Sequence, residues 1–153
     1  MISFDIYFSG KGVYKMADKL KLSVPGKPEY LGVVRLAVSS AANAAGFSMD
    51  AVEDITIAVS EVCTHIFCSS NSSSYEVSCE MSDQGMSISI DDIGGDESRD
   101  MHPCFCLPVT SFFPDVYDPS VSMILLNALM DEVDIFSCSG GDVMIRMRKE
   151  QEH

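Results

Sequence analysis

The chain has 153 residues, 46% of them apolar, and its 23 acidic against 10 basic residues leave a formal net charge of −13. That length suits one domain with its own core, no apolar run approaches a membrane span, and the charge would repel a phosphate backbone, which argues against nucleic acid as a partner. Between Leu36 and Ile145 there are eighteen acidic residues and one basic residue, Arg99, so the charge serves either solubility alone or the docking of a basic or mixed-charge protein.

Ile2, Phe4, Ile6 and Phe8 alternate with polar neighbours and predict a strand. The segment has no basic stretch before its apolar part, so it does not read as a signal peptide. Met16 looks like a natural start, which makes residues 1–15 an N-terminal extension, with an extra strand in it, and 16–153 a single domain. Leu20, Leu22 and Val24 alternate as the next strand, ended by Pro25-Gly26. Pro28 then suits a helix start, and Leu31, Val34, Val38, Ala41 and Ala45 recur at helical spacing up to Gly46. Asp50 and Glu53 have the spacing of a capping box, and Val52, Ile55, Val59, Val62 and Ile66 form the apolar stripe of a second helix.

After the polar run Ser69–Ser74, two alternating segments, Tyr75–Met81 and Met86–Ile90, flank Asp83-Gln84-Gly85 and predict a β-hairpin. Residues 94–118 show no regular period, a loop long enough to suggest function. Val121, Ile124, Leu125, Ala128 and Leu129 predict a third helix, and Val133–Cys138 with Val143–Met147 a final hairpin. This order gives a two-layer α/β sandwich, with a mixed, mostly antiparallel sheet and helices on one face.

On the second helix Asp54, Ala58, Glu61 and His65 share one face, offset from the apolar stripe. A glutamate so placed can take a proton from a hydroxyl nucleophile, and a ligand one turn later can hold a metal that bridges phosphates. The same spacing also describes an exposed acidic face with no chemistry, and spacing alone leaves both readings open.

The run PGKPEYLGVVRLAVSSAANAAGFSMDAVEDITIAVSEVCTH, the turn IDDIGG and the later segment LMDEVDIF resemble, in order and spacing, the anti-sigma-factor serine kinases of the histidine-kinase-type ATPase superfamily. The resemblance covers roughly residues 18–149, about a whole domain. It implies a nucleotide pocket with Glu61 as catalytic base, Asp92 taking the adenine amino group, Gly94 beside it, and Ser120 and Ser122 in the segment that closes on the phosphates. It further implies ATP and Mg²⁺, a sigma factor and an anti-sigma-factor antagonist as protein partners, and phosphorylation of a serine on that antagonist. A cytoplasmic homodimer is implied too, with Tyr30, Val33 and Arg35 on the outward side of its first helix.

Three positions depart from the family pattern. His65 stands in the place of a magnesium-binding Asn, and Mg²⁺ prefers oxygen ligands. Asp118-Pro119-Ser120-Val121-Ser122 replaces a glycine-rich lid, and Pro119 brings no amide hydrogen. Val143 replaces a threonine near the adenine. These substitutions frame an alternative, a non-catalytic pseudokinase of the same fold that has lost nucleotide. Zinc is not expected: His102, Cys104 and Cys106 form a Cys-x-Cys pattern unlike the usual paired spacing, and the six cysteines read as reduced cytoplasmic thiols.

Overall fold

A computed structural model describes residues 17–69, 74–92, 119–137 and 143–151. Strand β1 (Asp18–Pro25) leads through a single 3-10 turn at Pro28–Tyr30 into α1 (Leu31–Ala44) and α2 (Met49–Ser69). The hairpin β2 (Ser74–Ser82) and β3 (Gly85–Asp92) follows, then α3 (Pro119–Leu129), β4 (Glu132–Ser137) and β5 (Val143–Glu150). The sheet order is β1-β2-β3-β5-β4, and each of the four pairings is antiparallel. The two-layer sandwich expected from the element order is what the described residues form. The extension at 1–15 and the loop at 94–118 lie outside them.

The helix layer forms because both long helices carry an apolar stripe. Val34, Val38, Ala41 and Ala42 of α1 are buried, as are Val52, Ile55, Ala58, Val59, Val62 and Cys63 of α2. They meet the inward residues of the central strands, Val77, Cys79, Met86, Ile88, Ile90, Ile145 and Met147, in one core. Cys63 and Cys79 belong to that core, and burial pushes both thiols up to about 12, so they behave there as small apolar groups.

Local signals set the joints. Gly46 has φ 85°, Gly46 N donates to Asn43 O at 3.0 Å and Phe47 N to Ala42 O at 3.2 Å, the paired bonds of a Schellman ending. The cap of α2 is Ser48, whose Oγ accepts from Ala51 N at 3.3 Å. Asp50, expected as the capping residue, instead lies in the first turn, where its charge suits the helix dipole. At Gly85 (φ +152°) a Cβ would come within 2.3 Å of Lys149 O, so only glycine lets β3 and β5 meet directly after the two-residue turn.

The end of β5 clasps several elements together. Lys149 Nζ donates to Asp54 Oδ2 of α2 at 3.1 Å and to Leu129 O at the end of α3 at 2.6 Å. Asp131 N donates to Arg148 O, and Glu150 N to Asp131 Oδ2. Gln151 N donates to Gln84 O in the β2–β3 turn, and Gln151 Nε2 reaches Ala45 O and Gly46 O past the end of α1.

The opposite face of the sheet carries cross-strand polar rows. Lys19 pairs with Glu80, Lys21 Nζ with Glu76 at 2.6 Å, and Ser78 Oγ with Ser89 Oγ at 2.7 Å. Asp91 lies directly opposite Glu76 in the register. Burial first, and then the Glu76 charge, raise the Asp91 carboxyl above its usual range, against the pull of Lys21 and Arg146. A raised native value means that the fold favours the protonated form; that contribution is complete below the unfolded carboxylate range and is lost as pH rises through the native value. Asp91→Asn is therefore expected to stabilise the protein at pH 7, by about the 0.2–1 kcal/mol typical of cross-strand pairs, and to have no such effect at pH 3. Thermal melts at the two pH values check this; equal shifts at both would contradict it.

Candidate active site

The face of α2 that holds Asp54, Ala58 and Glu61 is not a solvated acidic stripe. Ala58 is fully buried, Asp54 is held by Lys149, and Glu61 is half-buried. Ordinary solvent-facing positions of the same helix are Glu53, Ile57 and Thr64. Residues 54 and 61 are seven apart, two turns and about 10 Å along the axis, so Glu61 stands on the side that Lys149 fixes. Helix α3 packs on α2 and β4, with Leu126 and Met130 buried at the contact.

The other residues singled out from the sequence fall as follows. His65 lies one turn beyond Glu61 on α2. Asp92 is the last residue of β3, in register with the fully buried Tyr75. Ser120 and Ser122 lie in the first turn of α3, which Pro119 opens. That turn is helical, and the amides of a first helical turn have no acceptor within the helix. The side chains of His65, Asp92, Ser120, Ser122 and Val143 lie outside the described atoms, and Gly94, His102, Cys104 and Cys106 lie outside the described residues altogether.

Alternation along β3 sets Asp91 apart from the core. Met86, Ile88 and Ile90 are buried against the helices, while Asp91 takes part in the charge rows of the other face. Sequence reading missed Lys149. Its signal was present: in β5 it continues the inward positions Ile145 and Met147, so a charged residue falls in an apolar alternation.

No helix among the described residues is long and apolar enough to cross a membrane. The sequence profile of the histidine kinase-like ATPase domain matches residues 24–149. The chain is 32% identical over 136 residues to the serine-protein kinase RsbW of Halalkalibacterium halodurans, covering 86% of this chain and 83% of that protein. It is 33% identical over 141 residues to RsbW of Oceanobacillus iheyensis, covering 86% of each. With RsbW of Bacillus subtilis it shares 29% over 139 residues, covering 87% of this chain and 86% of that one. A match of that extent, on a five-stranded sheet backed by three helices, means that this chain belongs to the histidine kinase-like ATPase domain family.

Proposed function

We propose that the chain is an anti-sigma-factor serine kinase of a partner-switching module, binding a sigma factor and using ATP to phosphorylate a serine on an antagonist protein. The observation that carries the reading is the near full-length relation to proteins named serine-protein kinase, joined to a half-buried Glu61 on a helix that packs against α3.

In this reading ATP is the phosphoryl donor. Glu61 accepts the proton of the substrate serine as its oxygen forms a bond to the γ-phosphorus, and the bond from that phosphorus to the β–γ bridging oxygen breaks, releasing ADP. Asp92, at the end of β3, accepts from the adenine amino group. An unpaired buried carboxylate is costly, so this contact selects the base. The free amides of the first turn of α3, the turn that carries Ser120 and Ser122, meet the phosphates, where a helix start favours negative charge. The donor set on α2, a carboxylate followed one turn later by an imidazole, offers one hard oxygen ligand and one nitrogen. Mg²⁺ takes oxygen, so the set fits this metal poorly.

Glu61→Ala is expected to lower phosphoryl transfer to the antagonist by roughly 10²–10⁴-fold and to leave ATP affinity within a few-fold, measured by radiolabel transfer and calorimetry. Transfer that survives the substitution would remove Glu61 from the base role. A wild-type chain that binds no ATP at all would instead favour the pseudokinase reading.

His65→Asn, which supplies a hard oxygen, is expected to tighten Mg-ATP binding by about tenfold, or ~1.4 kcal/mol, with a smaller change for ATP in EDTA. An unchanged Mg²⁺ dependence would show that residue 65 does not reach the metal.

The outward side of α1 supports a homodimer. Tyr30 is 38% exposed, Val33 50% and Leu36 69%, and Arg35 is exposed beside them. Leu36 joins Tyr30, Val33 and Arg35 in a patch that burial against a second copy would cover. Val33→Lys with Leu36→Lys is expected to convert a dimer into a monomer in sedimentation at tens of micromolar. A wild-type monomer at that concentration would refute the proposal.

A further inference from the structure

The inward side of the sheet is apolar along β2, β3 and β5 until Lys149. Its side chain is 15% exposed, yet carries an ammonium. The two groups it meets belong to different helices: the Asp54 carboxylate of α2 at 3.1 Å and the Leu129 carbonyl that ends α3 at 2.6 Å. Leu or Met would fill such a place without the cost of desolvating a charge. What an apolar residue could not do is fix two helices to one point. A carbonyl at a helix end is also where the helix dipole favours a cation.

That point bears on both halves of the proposed active site. From Asp54, α2 continues two turns to Glu61 on the same face. From Leu129, the eleven residues of α3 lead back to Pro119, about 16 Å at helical rise. Among the described side chains of α3, Leu126 is buried, Met123 and Leu129 pack partly buried against the core, and Ile124 is 69% exposed; Met130, just past the helix, is buried. A short helix whose buried holds lie towards its C-terminal end acts as a lever, and a small turn about Leu129 displaces its first turn by a larger distance. Displacements of about 1 Å are enough to cost a reacting geometry about a hundredfold.

We propose that Lys149 is a positioning residue for the phosphoryl-transfer site: by holding Asp54 and the Leu129 carbonyl together, it sets the spacing between Glu61 and the first turn of α3. The inference rests on the kinase reading for its functional half, and on the geometry alone for its mechanical half.

The test uses the full chain with Lys149→Met, which keeps the apolar stem and removes the ammonium, and with Lys149→Arg. In Lys149→Met without nucleotide, amides 123–126, the first hydrogen-bonded ones of α3, are expected to exchange at least tenfold faster, while those of β2 and β3 keep their wild-type rates. With ADP as the probe, Kd is expected to rise about tenfold at a temperature well below the melting point, and Lys149→Arg to restore most of both effects. A merely stabilising lysine would lower the melting temperature and speed exchange everywhere, leaving ADP affinity of the folded protein unchanged; that result overturns the proposal. If Lys149→Met does not fold, Asp54→Asn carries the same two measurements with the same expected directions. Wild-type protein that fails to bind ADP counts against the kinase reading, and the exchange pattern at 123–126 then decides the mechanical claim by itself.

Discussion

A two-layer fold with short helices has to answer how its helices keep their places along the sheet, because apolar contact by itself is non-directional. Here the answer lies in the hydrogen bonds at the end of β5. Lys149 reaches α2 and α3, Gln151 reaches the end of α1 and the β2–β3 turn, and Asp131 closes the corner between α3 and β4 onto the same strand. Asp54 is 37% exposed, so water damps the Coulomb part of its pairing. The bonds from one ammonium to two helices therefore act more by direction than by strength, and the core supplies the bulk of the stability.

The same constraint divides the protein into a fixed end and a working end. At the fixed end the backbone is joined by glycine-dependent close approach at Gly85 and by the Schellman ending at Gly46. At the other end, the one the proposed function puts to work, stand the later turns of α2, the last residues of β3 and the first turn of α3. The residues to which the proposed function gives roles, Glu61, His65, Asp92, Ser120 and Ser122, fall on those three segments.

Much of this was legible in the sequence. Period-two alternation marked β2 and β3, because the helix layer covers one face of the sheet and leaves the other polar. The stripe from Val52 to Val62 marked α2. The choice of cap was less legible, since Ser48 and Asp50 are both good capping residues and only backbone position decides between them. The burial of Ala58 was illegible too, because an alanine between two acids gives no apolar signal; its environment comes from the shared core. Lys149 was hidden for the opposite reason. A charged residue near the end of a strand reads as fraying into solvent, and only the register with Met86 puts it on the inward side. The departures at His65 and Pro119 were plain in the sequence, but their effect on ligand affinity depends on side-chain positions that no spacing rule supplies.

The strand order has a consequence for how the molecule opens. Among the described strands β4 pairs with β5 alone, and β5 joins the rest of the sheet through β3. Separating β5 from β3 would therefore detach β4 as well, and would release Lys149 from α2 and Gln151 from α1 in the same event. The hairpin, the anchor of α3 and the end of α1 thus form one cooperative unit with a shared opening free energy. Amides in the middle of β4 are bonded to β5 and not to β3, so they exchange when β4 leaves β5 or when the detached hairpin itself opens, and the easier route sets the protection of the strand at the sheet's margin.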